Sequence, residues 1–357
     1  MLKFHALKVL AVVPDGEDAV TVALEVPPAL AAEYRGAAGQ HVVVRSDIDG
    51  EEVRRTYSLL NAPGEWPLRI APRVHREGRM SRYLAEQLPA GARIDVLPPN
   101  GSFTARGKIE GGSFVAFAAG CGITPVLSIV RTLLAQGARS VILFYGNTGT
   151  GRVMCAEELL GLKDRYLGRL AVHFLMSREP QEVPLYNGRL DGQRVGEFAR
   201  TLFAAAEVRE YFVCGPGDMI EQVSAALRDL KVGAERIHAE HFRVDAQAAV
   251  AVAAPAAAAA APSGMAQVSV RMDGRRRAFT MRVDDETVLD AAARAGIELP
   301  FSCRAGVCST CRTKVVSGTV QMAQNYALED WELEQGYVLA CQARCTSAVL
   351  ELDYDEK

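Results

Sequence analysis

The sequence predicts a multidomain chain of three folded parts: a small antiparallel β-barrel, an open parallel α/β sheet, and a compact β-rich module built around cysteines. Three observations lead there. Short segments of alternating polarity, separated by turn residues, fill the first hundred positions, as an antiparallel barrel requires. From Ser113 onward, continuous apolar runs alternate with helix-like stretches, the pattern of a parallel sheet covered on both faces. Near the end stands Cys303-x4-Cys308-x2-Cys311, answered thirty residues later by Cys341.

The totals agree with several soluble domains. The chain has 357 residues, 49% hydrophobic and 23% charged, enough for two to four cores. A net charge of −3 gives no pull towards nucleic acid or an anionic membrane. No apolar run reaches the length of a membrane span, and the start, Met1 to Lys8, alternates like a strand instead of carrying a signal peptide's apolar core. Beyond the four cysteines of the motif, Cys121, Cys155, Cys214 and Cys345 are scattered with no disulfide framework. That usage predicts a reducing, cytoplasmic setting.

Taken in order, residues 1–106 hold the barrel. Ala19–Val26, Gln40–Arg45, Arg55–Leu60 and Pro67–Ala71 read as strands, with one helix over Arg79–Leu88. Residues 107–245 hold the α/β part. Phe114–Ala118, Val141–Tyr145, Ala171–Met176 and Tyr211–Cys214 are its strands, with helices over Thr124–Gln136, Ala156–Leu162 and Val195–Ala206 between them. Residues 246–266 are nearly all alanine, interrupted by Pro255 and Pro262, and read as a linker, because the prolines break any helix. Residues 267–357 form the cysteine module. Gln267–Met272 and Arg277–Val283 flank Asp273-Gly274, a hairpin signal. Thr287 is an N-cap for Val288–Ala295 and Gly296 its stop, a succession compatible with a β-grasp fold.

The cysteine spacing is that of a plant-type [2Fe–2S] site, in which four thiolates hold two irons. Gly306 and the small Ala305 and Ser309 suit a loop that turns backbone N–H groups towards sulfur. The alternative is structural zinc, which usually pairs two short Cys or Cys/His knuckles; here there is one such pair and no partner histidine.

Four further motifs are weak singly. In Arg55-Thr56-Tyr57-Ser58 the strand places residues 55 and 57 on one face, an arginine for a pyrophosphate beside a ring for a flat heterocycle. Gly78-Arg79-Met80-Ser81 turns into a helix and offers free N–H groups to a phosphate. Gly120-Cys121-Gly122-Ile123-Thr124-Pro125 follows a buried strand and opens a helix, without the third glycine of the common dinucleotide fingerprint. Cys214-Gly215-Pro216-Gly217 ends the fourth strand at the same sheet edge. On spacing alone each also fits a solvated strand or an ordinary helix cap.

Together, and in this order, they resemble the ferredoxin–NADP reductase superfamily, over about residues 1–245. The resemblance implies FAD held on the barrel. It assigns Arg55, Gly78 and Ser81 to the FAD pyrophosphate, with Thr56, Arg79 and Met80 inside the same two motifs. Tyr57 would pack on the flavin ring, Ser58 would stand at its reactive edge, and Phe242 is a further flavin candidate. Gly120, Gly122, Thr124 and Pro125 would cradle the nicotinamide nucleotide, with Cys214 and Gly215 beside the nicotinamide. Ser177 and Arg178 resemble a 2′-phosphate pair, which favours NADPH, although Asn147-Thr148 stands where Asn-Arg is expected and leaves NADH open.

A reductase first and a plant-type ferredoxin last, together with Ile48–Ser58, Leu299–Cys303 and Asn325–Gln342, is similar to the reductase subunits of bacterial phenylacetyl-CoA epoxidases. The implied activity is hydride transfer from NADPH to FAD, then single electrons through the [2Fe–2S] cluster to an oxygenase component. The same motifs would serve an aromatic-ring hydroxylase, a demethylase or a deoxysugar dehydrase. A non-catalytic iron–sulfur sensor or docking subunit is the alternative of another class. The last stretch, Val315–Lys357, has eight acids against two bases and reads as a solvated face on the module that must meet a partner.

Overall fold

The computed structural model describes residues 3–242, 252–253, 264–283 and 286–356. Contacts divide the chain into two compact units, one spanning Phe4–Phe242 and the other holding the C-terminal part.

The first unit opens with β1 (His5–Pro14), β2 (Val20–Glu25), β3 (His41–Ile48), β4 (Glu51–Ser58), β5 (Leu68–Ile70) and β6 (Arg93–Val96). They pair antiparallel in the order β4-β3-β6-β1-β2-β5. The two ends meet. Leu59, one residue past β4, bridges Ile70 of β5, and the Leu60 N–H donates to the Arg69 carbonyl at 3.0 Å. The antiparallel sheet therefore curls round until its two ends touch, as in a barrel. Alternation turns Leu7, Val9, Val22, Leu24, Val42 and Val44 inward.

One expected element differs. Arg79–Leu88 is not a regular helix but a single α turn, Arg79–Arg82, continued by a π turn, Tyr83–Gln87. Met80, Leu84 and Leu88 all enter the barrel core. A spacing of four overshoots an α turn, and the wider π turn takes up the drift, so all three stay on one face.

The second half of this unit holds β7 (Ser113–Ala119), β8 (Ser140–Asn147), β9 (Leu170–Met176), β10 (Val208–Gly215) and β11 (Ile237–His241). All run parallel, in the order β11-β10-β7-β8-β9. Helices Ile123–Ala135 and Ala156–Arg165 cover one face, Gly192–Thr201 and Gly217–Asp229 the other. The third of these starts earlier than the sequence suggested, because Asp191 caps it by accepting the Arg194 N–H at 2.9 Å.

Barrel and sheet share a core in which Ala38, Leu60, Ala71 and Phe103 pack with Ile123, Leu127 and Phe212. Polar contacts cross the same seam. Gly39 N–H donates to Ser128 Oγ at 3.2 Å, and that hydroxyl donates to the Asn61 carbonyl at 2.5 Å. Glu158 receives both Arg69 and Arg131, and Asp18 receives both Arg73 and Arg152.

The stretch 246–266, expected as a linker, lies almost wholly outside the described residues. Within it, β12 (Val252–Ala253) pairs antiparallel with β16 (Val320–Met322). The second unit continues with β13 (Met265–Met272), β14 (Arg275–Arg282), β15 (Arg312–Ser317), β16, β17 (Tyr337–Leu339), β18 (Ala343–Cys345) and β19 (Val349–Asp353). A mixed sheet, β14-β13-β19-β15-β17, grips helix Val288–Arg294, and a small sheet, β12-β16-β18, lies beside it. This is the β-grasp architecture. Asp273 and Gly274 turn the hairpin with φ of 53° and 70°, as a two-residue primed turn demands. Thr287 caps the helix by accepting from Asp290 N–H at 3.2 Å.

The acidic stretch is more than a solvated face. Helix Asp330–Glu334 starts on a capping box of Glu329 and Glu332. Glu332 is only 2% exposed and holds Arg312 Nε at 3.3 Å. Among the described residues, no helix is long and apolar enough to cross a membrane.

Candidate functional site

In the open sheet the strand order reverses between β7 and β10, and that switch point is where such sheets take ligands. The turn Gly120–Gly122 leaves β7 there, and Cys214-Gly215 ends β10 beside it. Gly120 sits at φ +54°, a conformation that favours glycine. Gly122 is needed for contact, since a Cβ on it would lie 2.1 Å from the Cys214 carbonyl oxygen. Thr124 spends its hydroxyl on the turn, donating to the Cys121 carbonyl at 3.0 Å, and Pro125 is buried in the first helical turn. The N–H groups of this turn and helix start can therefore face a diphosphate.

Ser177 and Arg178 lie past the end of β9, their N–H groups donating to Asn147 O and Thr148 O at 2.9 Å. Three strand spacings, about 14 Å, separate β9 from β10 along the edge. A dinucleotide stretched across it would put its nicotinamide by Cys214 and its adenosine end by Arg178. The Arg178 side chain is exposed and makes no hydrogen bond or ion pair among the described residues.

On the barrel, Arg55 and Tyr57 share a face of β4, the guanidinium exposed and close enough to act on the phenol electrostatically. Burial, opposed by Arg55, holds the Tyr57 hydroxyl firmly protonated. Thr56 faces the other way, opposite Val43 of β3. In the Gly78 motif side chains and backbone have separate tasks. Ser81 Oγ accepts from His75 N–H and donates to the Gly78 carbonyl, both at 3.2 Å, so it builds the turn. Arg79 is held by Glu51 and the Ile48 carbonyl, and Met80 is a core residue. Backbone N–H groups are what this motif has left to offer a phosphate.

The two reactive-edge candidates, Ser58 and Cys214, are joined by a pair that the sequence reading missed. Ser58 lies opposite His41 across β3 and β4. His41 Nδ1 is 3.8 Å from Glu240 Oε1, and Glu240 pairs in register with Cys214 across β11 and β10. All four are buried. Burial pushes the Glu240 carboxyl up, against the pull of His41, and burial followed by Glu240 and Cys121 pushes the Cys214 thiol up. His41 Nε2 and Glu240 Oε2 have no hydrogen-bond partner among the described residues. Each of these atoms is desolvated without a hydrogen bond in return, which is costly for a buried polar group. Phe242 follows β11 directly and packs against the shared core. A Gly-Gln-His next to a strand gave no signal, because its partner stands two hundred residues away.

The raised Glu240 pKa carries a sign. A carboxyl whose folded pKa is above its unfolded value stabilises the fold at low pH, and that contribution is lost as pH rises through the folded pKa. Glu240→Gln should therefore raise the apparent melting temperature at pH 8, by about 2–4 °C, with the gain shrinking towards pH 5. A gain that did not change with pH would show that the carboxyl does not titrate in the fold.

In the second unit the four motif cysteines come together as two sulfur pairs. The thiols of Cys303 and Cys308 act on each other, as do those of Cys311 and Cys341. In each pair one thiol is pulled down by its partner and the other pushed up, as expected of two sulfurs sharing one proton. Backbone N–H groups of Ala305, Val307 and Cys308 aim at Cys303, the first at 3.3 Å. Among the described residues, no three His, Cys, Asp or Glu side chains converge on a single metal ion. Two pairs of thiols are what two irons, each held by two cysteines, would call on. Arg304, Gly306 and Ser309 all have positive φ, which is how so short a loop turns its amides inward. Cys345, by contrast, is a core residue, its thiol donating to Ser347 O at 3.1 Å.

Family comparisons match three segments: an oxidoreductase FAD-binding domain over residues 17–105, an oxidoreductase NAD-binding domain over 117–225, and a 2Fe-2S iron-sulfur cluster binding domain over 270–346. Among curated proteins, the chain is 37% identical to one of the subunits of 1,2-phenylacetyl-CoA epoxidase of Escherichia coli K12, covering 100% of this chain and 99% of that one. It is 32% identical to the ferredoxin reductase component of 3-ketosteroid-9-alpha-monooxygenase from Rhodococcus rhodochrous, covering 98% and 96%. Among solved structures, phthalate dioxygenase reductase, described as a modular structure for electron transfer from pyridine nucleotides to [2Fe–2S], has a TM-score of 0.59 at 24% identity, covering 98% of each chain.

Proposed function

Since the chain belongs to the ferredoxin–NADP reductase superfamily, in the branch that ends in a plant-type [2Fe–2S] ferredoxin domain, we propose that it delivers electrons from NADPH to the epoxidase that acts on phenylacetyl-CoA. At the coarser level it is an FAD- and [2Fe–2S]-dependent oxidoreductase, a reductase component of an oxygenase system. The observation that carries the finer reading is likeness along the whole chain, in unbroken order, to a component of that epoxidase. FAD supplies the conversion of one hydride into two single electrons, and the cluster carries them one at a time.

The chain's own part is placement. The Gly122–Cys214 contact sets where the nicotinamide face can lie, and Ser58, His41, Glu240 and Cys214 shield that place from water. Arg55 and the Gly78 turn are proposed to hold the flavin's pyrophosphate, and Arg178 the 2′-phosphate of NADPH. A guanidinium–phosphate contact contributes roughly 1.5–3 kcal/mol. Arg178→Ala should therefore raise the KM for NADPH about tenfold or more and leave that for NADH within twofold. Equal effects on the two nucleotides would remove Arg178 from the 2′-phosphate site.

The reading is tested by reconstitution with the catalytic component of a phenylacetyl-CoA epoxidase, following NADPH-dependent consumption of phenylacetyl-CoA. Turnover supports it. The Rhodococcus likeness favours a second reading, a monooxygenase acting on a ring carbon. Transfer to a ketosteroid oxygenase component, with none to the epoxidase, would establish that one instead.

A further inference from the structure

Gln342 follows the remote cysteine directly and is 8% exposed. Its backbone is tied on both sides, its N–H donating to Leu339 O at 2.8 Å and its carbonyl accepting from Ala323 N–H at 3.1 Å. Its side-chain amide is thereby aimed in one direction. Nε2 donates to the Arg304 carbonyl at 2.9 Å and lies 3.6 Å from Cys341 Sγ, within reach of a hydrogen bond to sulfur. An NH2 group has two protons about 120° apart, so one can serve the oxygen and the other the sulfur.

The surroundings are built for this side chain. Gly306 leaves room for its stem, since a Cβ there would lie 3.3 Å from Gln342 Cγ, and Gly306 N–H also points at Cys341. Arg304 sits at φ +54°, outside the ordinary range for a residue with a side chain, and its carbonyl direction is what the amide fixes. The Gln342 amide is thus a neutral side-chain donor that reaches both the loop carrying three cysteines and the distant thiol of the fourth.

We propose that Gln342 is a positioning residue for the iron–sulfur centre, fixing the fourth thiolate against the cysteine loop and raising the centre's reduction potential through an N–H···S bond to Cys341. This rests on the [2Fe–2S] reading of the four cysteines. A proton directed at a ligand sulfur stabilises the extra negative charge of the reduced form, which is the protein's main means of shifting such a potential. Arginine or lysine would add a charge, and a leucine would offer no proton; the amide provides a neutral donor in the space that Gly306 leaves.

The test uses the full-length holoprotein and two volume-conserving variants, Gln342→Leu and Gln342→Met. Iron and sulfide are counted per chain, and the potential is measured by dye-poised titration. The expected result is a cluster content close to wild type, with the reduced-to-oxidised ratio at fixed poise falling about tenfold, a shift of about −59 mV for a one-electron couple. In wild-type protein carrying 15N only in glutamine side chains, pulsed EPR of the reduced state should detect a nitrogen coupling that both variants lose. An unchanged potential with a full cluster would overturn the proposal and leave Gln342 a tie to Arg304 alone. If neither variant holds a cluster, the wild-type coupling decides: its presence upholds the sulfur contact and its absence overturns it. A wild-type chain with no iron–sulfur spectrum at all would fail a different claim, the assignment of the four cysteines.

Discussion

Cys341→Ala is expected to go on oxidising NAD(P)H with ferricyanide at close to the wild-type rate while losing nearly all cytochrome c reduction and all delivery to an oxygenase. Cys341 is 6% exposed and its sulfur is the partner of Cys311, so its removal leaves one of the two sulfur pairs with a single thiol. A centre that needs two sulfurs per iron cannot be held by three. The unit Phe4–Phe242 has its own cores, so the flavin and nucleotide regions should be unaffected. Ferricyanide takes electrons from flavin directly; in the proposed order of transfer, cytochrome c and the oxygenase receive theirs from the cluster. Loss of both activities would indicate a folding defect. Retained delivery at near wild-type rate would mean that electrons leave from the flavin, and the role given to the four cysteines would be wrong.

Gly122→Ala should have the converse signature. The added carbon would meet Cys214 O at 2.1 Å, Cys214 C at 2.5 Å and Gly215 N at 2.9 Å, all of them backbone atoms. No side chain can swing aside, so the turn after β7 and the end of β10 must part by about an ångström. Displacements of that size at a reacting centre cost on the order of 10²-fold in rate. Flavin reduction by NADPH in a stopped-flow instrument should fall by about that factor. FAD content and reduction by dithionite should stay unchanged, because Arg55, Tyr57 and the Gly78 turn lie on the barrel. A rate within twofold of wild type would show that the nicotinamide does not lie against this contact.

How much of this was legible in the sequence depends on the distance over which each signal acts. The cysteine loop was legible, because its spacing is local and few other chemistries use it. So were the parallel strands, whose unbroken apolar runs report burial on both faces, and the Thr287 cap, which is decided within four residues. The π turn was hidden, since Met80, Leu84 and Leu88 fit an α pattern nearly as well. The offer of free N–H groups by the Gly78 turn was legible because it is local, but the tasks of its side chains were not: the Ser81 hydroxyl holds the turn, and Arg79 reaches back to Ile48 of the barrel. The His41–Glu240 pair could not be found by spacing at all. It exists because β3 of the barrel meets the end of β11, and no periodicity in either segment refers to the other.

The seam between the barrel and the parallel sheet bears on how such chains can be cut and rejoined. Gly39 leans on Ser128, Ser128 on Asn61, and the carboxylates of Asp18 and Glu158 each hold arginines from both sides. A crossover placed near residue 106 would strand half of each of these contacts and expose Leu60, Phe103 and Leu127 to water. A crossover just after Phe242 breaks none of them. Chimeras should therefore tolerate exchange of everything beyond Phe242 for a foreign electron carrier, whereas exchange of the barrel alone should give insoluble protein. The smallest exchangeable unit on that side of Phe242 is then the barrel and sheet together.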